Sequence, residues 1–275
     1  LDAHFRLVTT GFGNALRAYF SVRTEAAMRI AGTAMEVAVW GVLAMLIVNP
    51  TLQNSLSFYK TPDMLSFMLS GLIINRLVDI AQLMNPMFFP WGYKIYHNRP
   101  FNIWVVAVAN NLDAMFFWRL VGLTVYALFA AFVFKVHINY LSGAFWLVIL
   151  MGAVFRFGLN LFTAGWASVT RAGEDPINWF YNTTSRLFTG ELIPINVLWD
   201  LKGVGPFLKV VSLVHPKTYV QKLGKQTAVG GDKLATILPD MWVPIVAAAA
   251  FMVLGIAMLR VCLQRAKKEG TLTWD

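Results

Sequence analysis

Charged and amide side chains fall where the chain is otherwise apolar: Glu36, Arg76, Asp79, Arg156, Asn160 and Asn182. A charge at the centre of an apolar helix costs about 2.5–3.5 kcal/mol to insert into a bilayer. Each must therefore face a partner, a water-filled cavity or a bundle interior. Arg76 and Asp79 stand three apart on one helix and are expected to pair with each other. Glu36 and Arg156 belong either in buried pairs or at a transported substrate, and Asn160 follows Arg156 by one turn. Arg119 lies close enough to a helix end to reach water. The run Asn178, Asn182, Thr183, Thr184, Ser185 and Arg186 makes poor lipid-facing surface, so it is expected to line a translocation path or a dimer interface.

A second stretch of chemical interest is LFTGELIPINVLW, Leu187–Trp199. Gly190, Glu191 and Pro194 interrupt an apolar run that never regains spanning length. Glycine permits backbone angles that a Cβ resists, and proline cannot extend a helix without losing a hydrogen bond. These three residues are expected to end a helix early and reverse the chain, with Glu191 near water or a partner. Signatures of hydrolytic chemistry are missing: there is no H-E-x-x-H, no G-x-S-x-G and no dense carboxylate cluster. The fragment nearest a phosphate loop, LGKQT, lacks the upstream glycine.

The elements that position these residues follow from composition. Apolar residues make up 57% of the chain and charged residues 13%, with a mean hydropathy of +0.59; soluble domains average about 45–50% and 25%. The sequence reads as an all-α integral membrane protein. Against a spanning length of roughly 20 residues, five segments qualify: about 27–48, 64–84, 114–134, 141–167 and 241–262. A weaker, more polar sixth covers about 177–193. An N-terminal interfacial segment (1–26) precedes the transmembrane domain (27–262), and a short tail (263–275) follows. In the first segment Phe12, Leu16 and Phe20 recur at helical spacing near Arg17 and Arg23, as in a helix lying at the inner interface. The opening residues are too polar for a cleavable signal peptide.

Lys and Arg cluster on alternate loops, which places both termini in the cytoplasm of a multi-pass plasma-membrane protein. The net charge of +9 then reflects basic inner loops facing anionic headgroups, with no nucleic-acid partner. One cysteine, Cys262, excludes an internal disulfide, and no metal site is expected. Between the fifth and sixth spans, Ile195–Trp199 and Pro206–Val214 are two short apolar pieces around a turn at Gly203 and Gly205, closed by Pro216. They read as a re-entrant helix pair within an outer segment of about 194–240, because irregular backbone at membrane depth needs protein or a water-filled cavity to cover it.

This arrangement resembles the permease subunit of ABC-2-type ABC exporters. The likeness covers most of the chain in topology and rests in sequence on Thr189, Gly190, Pro194 and Pro216. The family often has a Gly-Thr-Leu-Glu segment in the loop between spans two and three; here that loop reads NRPFNIWVVAVANNLD and lacks the glutamate. The resemblance implies a transport subunit that is not itself an enzyme and holds no cofactor. ATP and magnesium would sit on a separate ABC ATPase, present in two copies, and a second permease subunit, identical or homologous, would complete the assembly within membrane lipids. Pro100, Phe101, Asn102 and Trp104 are the expected contacts to that ATPase. Gly190, Glu191, Pro194, Gly203, Gly205, Pro206 and Pro216 are the expected outer gate. Glu36, Arg156, Asn160, Asn178, Asn182, Ser185 and Arg186 are the expected path or dimer-interface residues. The alternatives are a secondary transporter with no ATPase partner, which usually carries an inverted repeat not visible here, and an intramembrane lipid-modifying enzyme.

Overall fold

A computed structural model describes residues 23–46, 54–80, 114–170 and 176–268. The expected interfacial segment 1–22 and the expected ATPase contacts Pro100, Phe101, Asn102 and Trp104 lie outside the described residues. Among the described residues the protein is all-helical, with no strand. The helices are α1 (Arg23–Leu46), α2 (Met64–Asp79), α3 (Ala114–Leu128, continued by a π-helical turn Phe129–Val133), α4 (Gly143–Thr170), α5 (Pro176–Phe188), α6 (Ile195–Trp199), α7 (Gly205–Val214), α8 (Pro216–Ala228) and α9 (Leu234–Lys268). A 3₁₀ turn, Ser57–Tyr59, precedes α2.

Among the described residues, two helices are long and apolar enough to cross a membrane, α4 over Gly143–Trp166 and α9 over Leu234–Cys262. Within its apolar window α4 is 56% buried and α9 only 22%, so α4 is central and α9 presents an apolar outer face. Trp242, Val246, Val253 and Val261 are exposed along that face, more apolar surface than a water-facing helix ordinarily shows.

Three local features build the core. Asp63 caps α2, its Oδ1 accepting from Ser66 N at 2.6 Å, which satisfies one of the donors that every helix start leaves open. Behind that cap α2 is apolar almost all round and buried on nearly every face, the pattern of an interior helix. Glycines bring α4 and α9 into backbone contact: a Cβ at Gly158 would lie 2.6 Å from Met252 N, and one at Gly255 would lie 2.5 Å from Gly158 O. Gly165 faces Met258 in turn, so the two helices run in the same direction. Small residues at such crossings permit close packing where no water is available to drive association.

The most unusual element is α8. Its sequence, PKTYVQKLGKQTA, is polar, yet Lys217, Gln221, Lys225 and Thr227 are all buried. The helix lies against α4 and α2, with Val220 opposite Gly152 and Gly224 opposite Ile74. Together α7 and α8 make a hairpin bent at His215–Pro216. Both limbs open beside Phe58: Trp199, just before α7, packs on its ring at 5.9 Å, and Gln226, near the end of α8, donates to its carbonyl at 3.0 Å. The bend lies at the other end, where the His215 ring stacks on Tyr181 at 5.1 Å.

This hairpin differs from the sequence expectation in one respect. Ile195–Trp199 and the 205–214 stretch are helical and are joined by a turn at Gly203–Gly205, as expected, but a second reversal follows at His215–Pro216. The limb after that second reversal is α8, to which sequence reading assigns no helix within the outer segment of about 194–240. Its lysines and glutamines find their partners inside the protein.

Candidate functional site

Two polar clusters lie inside the bundle. The first gathers around Arg156, which is wholly buried on α4. Its Nη2 donates to Asn182 Oδ1 of α5 at 2.8 Å, its Nε lies 3.3 Å from Asp79 Oδ1 at the end of α2, and its guanidinium sits 4.7 Å over the Tyr181 ring. One turn before Asp79, Arg76 donates to Glu36 Oε2 of α1 at 2.8 Å and lies 5.2 Å over the Tyr126 ring of α3. Arg119 of α3 donates to the Asp79 carbonyl at 2.7 Å. Five helices thus contribute to one charged lane.

The expected Arg76–Asp79 pair is therefore corrected. Arg76 bonds across to Glu36 and Asp79 turns to Arg156. On one helix the side chains of both residues project along a shared face, but the neighbouring helices offer each an opposite charge at shorter reach. Glu36 and Arg156 are each paired, though not with each other.

The second cluster gathers around the bend after α5, the stretch that interrupts the apolar run. The α5 helix stops at Phe188, and Gly190 takes φ +77°, where a Cβ would also lie 2.2 Å from Tyr59 Oη. Only glycine meets both demands without strain. The next carbonyl, that of Glu191, docks on α2, where a Cβ at Gly71 would lie 2.2 Å from it. The Glu191 carboxylate accepts from Lys217 Nζ at 2.9 Å, and the same ammonium donates to Ser185 Oγ at 3.0 Å. Lys225 Nζ donates to the carbonyls of Gly190 and Glu191 under the Tyr59 and Phe67 rings. Gln221 Nε2, between the two lysines on α8, donates to Gly71 O at 3.2 Å. Tyr59 Oη accepts from Ile195 N at 3.2 Å and so anchors α6 to the same bend.

Burial sets the electrostatics here. It pushes the Lys225 amine well below the usual lysine range, with the Glu191 carboxylate pulling the other way. A neutral imidazole is what the local structure uses, because His215 Nδ1 accepts from Lys217 N at 3.3 Å and so caps α8. Burial also raises the Tyr59 hydroxyl above its usual range, opposed by the bond from Ile195.

The residues singled out from sequence divide among these places. Arg156 and Asn182 share the first cluster, with Glu36 at its far end, and Asn160 is buried on α4 one turn beyond Arg156. Ser185, Gly190 and Glu191 share the second, and Pro216 starts the helix that delivers Lys217. Pro194 precedes α6, and Gly203, Gly205 and Pro206 form the α6–α7 turn beside Trp199. Arg186 is exposed. Asn178 lies in α5, its side chain outside the described residues. Sequence reading missed Tyr59, Tyr181, His215, Lys217, Gln221 and Lys225. One signal was present: Lys217, Gln221 and Lys225 recur every four residues behind a proline, a polar stripe on one helix face.

No family model, no curated protein and no solved structure matches the chain.

Proposed function

We propose that this chain is the transmembrane permease subunit of an ATP-driven ABC-2-type exporter. In this reading six helices, α1 to α5 and α9, cross the plasma membrane with both termini in the cytoplasm. The short α5 and the α6–α8 segment together close the outer side, with the α7–α8 hairpin as a re-entrant gate. Glu36, Arg156, Asn160 and Asn182 line the path inward of that gate. A separate ATPase docks on the loop that carries Pro100, Phe101, Asn102 and Trp104.

One observation carries this reading: the α7–α8 hairpin enters and leaves beside Phe58 while burying a polar helix against α2 and α4. Buried polar backbone and side chains at such depth are tolerated where protein or a water-filled cavity covers them. A hairpin of this kind between the fifth and sixth helices is what the resemblance to ABC-2 permeases implies. Two apolar helices of spanning length agree with a membrane location.

The test is reconstitution. The chain purified alone should hydrolyse no ATP, and co-expression with an ABC ATPase from the same genome should yield a complex whose hydrolysis depends on the chain. Turnover by the lone chain, with contaminants excluded, overturns the proposal, as does failure of every such ATPase to associate.

A further inference from the structure

Tryptophans and charges bracket the two long helices at matching levels. On α4, Trp146 and Trp166 are both exposed, at 47% and 41%, and stand twenty residues apart, a rise of about 30 Å. The Trp146 indole N–H donates at 2.7 Å to the carbonyl of Tyr140, ahead of the helix, so its polar end is turned away from the apolar stretch. On α9, Asp240 and Arg260 are also twenty residues apart, and no residue between them is charged. Trp242 is exposed beside Asp240. The packing of the helices sets one scale against the other. Gly158 lies against Met252, and Gly165 against Met258, so the same offset brings Trp146 level with Asp240 and Trp166 level with Arg260.

Two helices thus share both boundaries. A face covered by another protein has no reason to end at the same two levels on both. A bilayer does, because its hydrocarbon is about 30 Å thick and tryptophan gathers at its two interfaces. What α9 exposes between those levels is apolar, including Ile245, Val246, Val253 and Leu254.

The hairpin can be placed on the same scale. Val220 of α8 lies opposite Gly152 of α4, and Asn139, ahead of α4, donates to the Ala228 carbonyl at 2.8 Å, so α8 runs antiparallel to α4. Pro216, four residues before Val220, is then level with Arg156, four residues after Gly152. His215 agrees with this: its ring stacks on Tyr181, the ring that also lies under the Arg156 guanidinium. Arg156 is ten residues from each α4 tryptophan, about 15 Å. The His215–Pro216 bend therefore stands halfway between the two boundaries.

We infer that a lipid bilayer seats on α4 and α9 with its interfaces at Trp146–Asp240 and Trp166–Arg260, and that the α7–α8 hairpin enters it to the midplane. The exposed side chains of α7, among them Phe207, Val210 and Val214, meet acyl chains of the leaflet on the Trp146 side. The α8 limb keeps its polar side chains against α2 and α4. Arg156 then lies at the depth where a charge is most costly, and it is paired there with Asp79 and Asn182, as a charge at that depth must be. The inference deepens the membrane part of the proposed function and rests on it, but it needs no ATPase.

Spin labels read the depth directly. In a Cys262→Ser background, single cysteines replace Trp242, Val246, Ala250, Leu254 and Arg260 on the exposed face of α9, and Val214 just ahead of the bend. Each labelled chain is reconstituted alone into dioleoyl phosphatidylcholine vesicles. Oxygen concentrates at the middle of a bilayer and a neutral nickel chelate in water, so the ratio of their relaxation effects rises with depth. That ratio should climb several-fold from Trp242→Cys to a maximum at Ala250→Cys and fall back by Arg260→Cys. Val246→Cys and Leu254→Cys should match each other, and Val214→Cys should match Ala250→Cys. A flat, water-like profile on α9, or a maximum displaced by a turn or more, overturns the seat. A Val214 label that reads headgroup depth, or that protein shields from both agents, overturns the half-membrane hairpin. The ATPase reconstitution fails separately: loss of ATPase association with this depth profile intact removes the exporter reading and leaves the bilayer seat standing.

Discussion

The Glu191 carboxylate and the Lys217 ammonium lie 2.9 Å apart, with their side chains 2% and 4% exposed. They join the bend after α5 to the first turn of α8, so the two limbs of the outer segment are locked by one ion pair. Removing one partner of a buried pair leaves an uncompensated charge and costs about 3–5 kcal/mol, whereas replacing both with apolar residues is often neutral. Glu191→Gln should therefore lower stability by about that amount, and Glu191→Leu combined with Lys217→Met should recover most of it. Unfolding of the purified variants in detergent measures both. A Glu191→Gln protein as stable as the parent would show that the pair is not dry.

Gly190 and Gly203 both have positive φ, +77° and +86°, but different surroundings. Gly203 faces open space, while a Cβ at Gly190 meets Tyr59 Oη. Gly203→Ala should cost about 1–2 kcal/mol, the price of the left-handed backbone alone. Gly190→Ala should cost clearly more, and a Tyr59→Phe background should reduce the excess by removing the oxygen it strikes. Equal losses at the two glycines would show that the bend yields freely.

What the sequence reveals and conceals follows the same division. The helix ends at Gly190 and Pro194, the short helices on either side of Gly203 and the polar character of α5 are local matters, set by backbone angles and periodicity, and they are legible in the residues. The partners of Arg76 and Asp79 are not, because i, i+3 spacing shows only which side chains share a helix face, while the winning contact comes from another helix. The burial of Lys217 and Lys225 is hidden for a similar reason. A lysine reads as solvent-facing unless a carboxylate and free carbonyls await it, and here they come from residues 190 and 191, more than twenty-five positions upstream.

Lys225 gives a pH dependence of definite sign. Its amine is held well below the lysine range by burial, while in the unfolded chain it titrates near about 10.4. Between those values the unfolded state binds more protons, so stability rises with pH and is lost as pH falls through the depressed folded value. Melting temperature measured from pH 7 to about 9.5, below the tyrosine range, should climb in the parent. Lys225→Met should flatten the climb. A parent curve that is level or falling would mean that the amine stays charged among its carbonyls and rings.

The corrected pairing in the first cluster can be read by double-mutant cycles. Glu36 and Arg76 are each about a third exposed, at 34% and 35%, so their coupling should be about 1 kcal/mol or less. Arg76 with Asp79 should couple less strongly than that. A larger Arg76–Asp79 term would restore the intrahelical pair expected from spacing.

The re-entrant gate has a signature that neither a surface loop nor a spanning helix shares. In a Cys262→Ser background, single cysteines can be placed at Phe207 near the start of α7, at Val214 before the bend, and at Gly230 just past α8. Phe207, Val214 and Gly230 are all exposed on the chain itself, so protein packing alone does not distinguish them. The surrounding medium does. A thiol reacts as its thiolate, and an apolar environment holds it protonated, so a cysteine at membrane depth resists a charged, impermeant reagent even when no protein covers it. Phe207→Cys and Gly230→Cys should both react from outside the cell, and Val214→Cys should be protected. Equal reaction at all three sites would make the segment a surface loop. Reaction of Phe207→Cys and Gly230→Cys from opposite faces of the membrane would make it a span. If the pattern holds, the same labelling repeated with a bound ATPase and ATP reports whether the hairpin moves: exposure of Val214→Cys on nucleotide binding is the outcome expected of a gate, and unchanged protection that of a fixed plug.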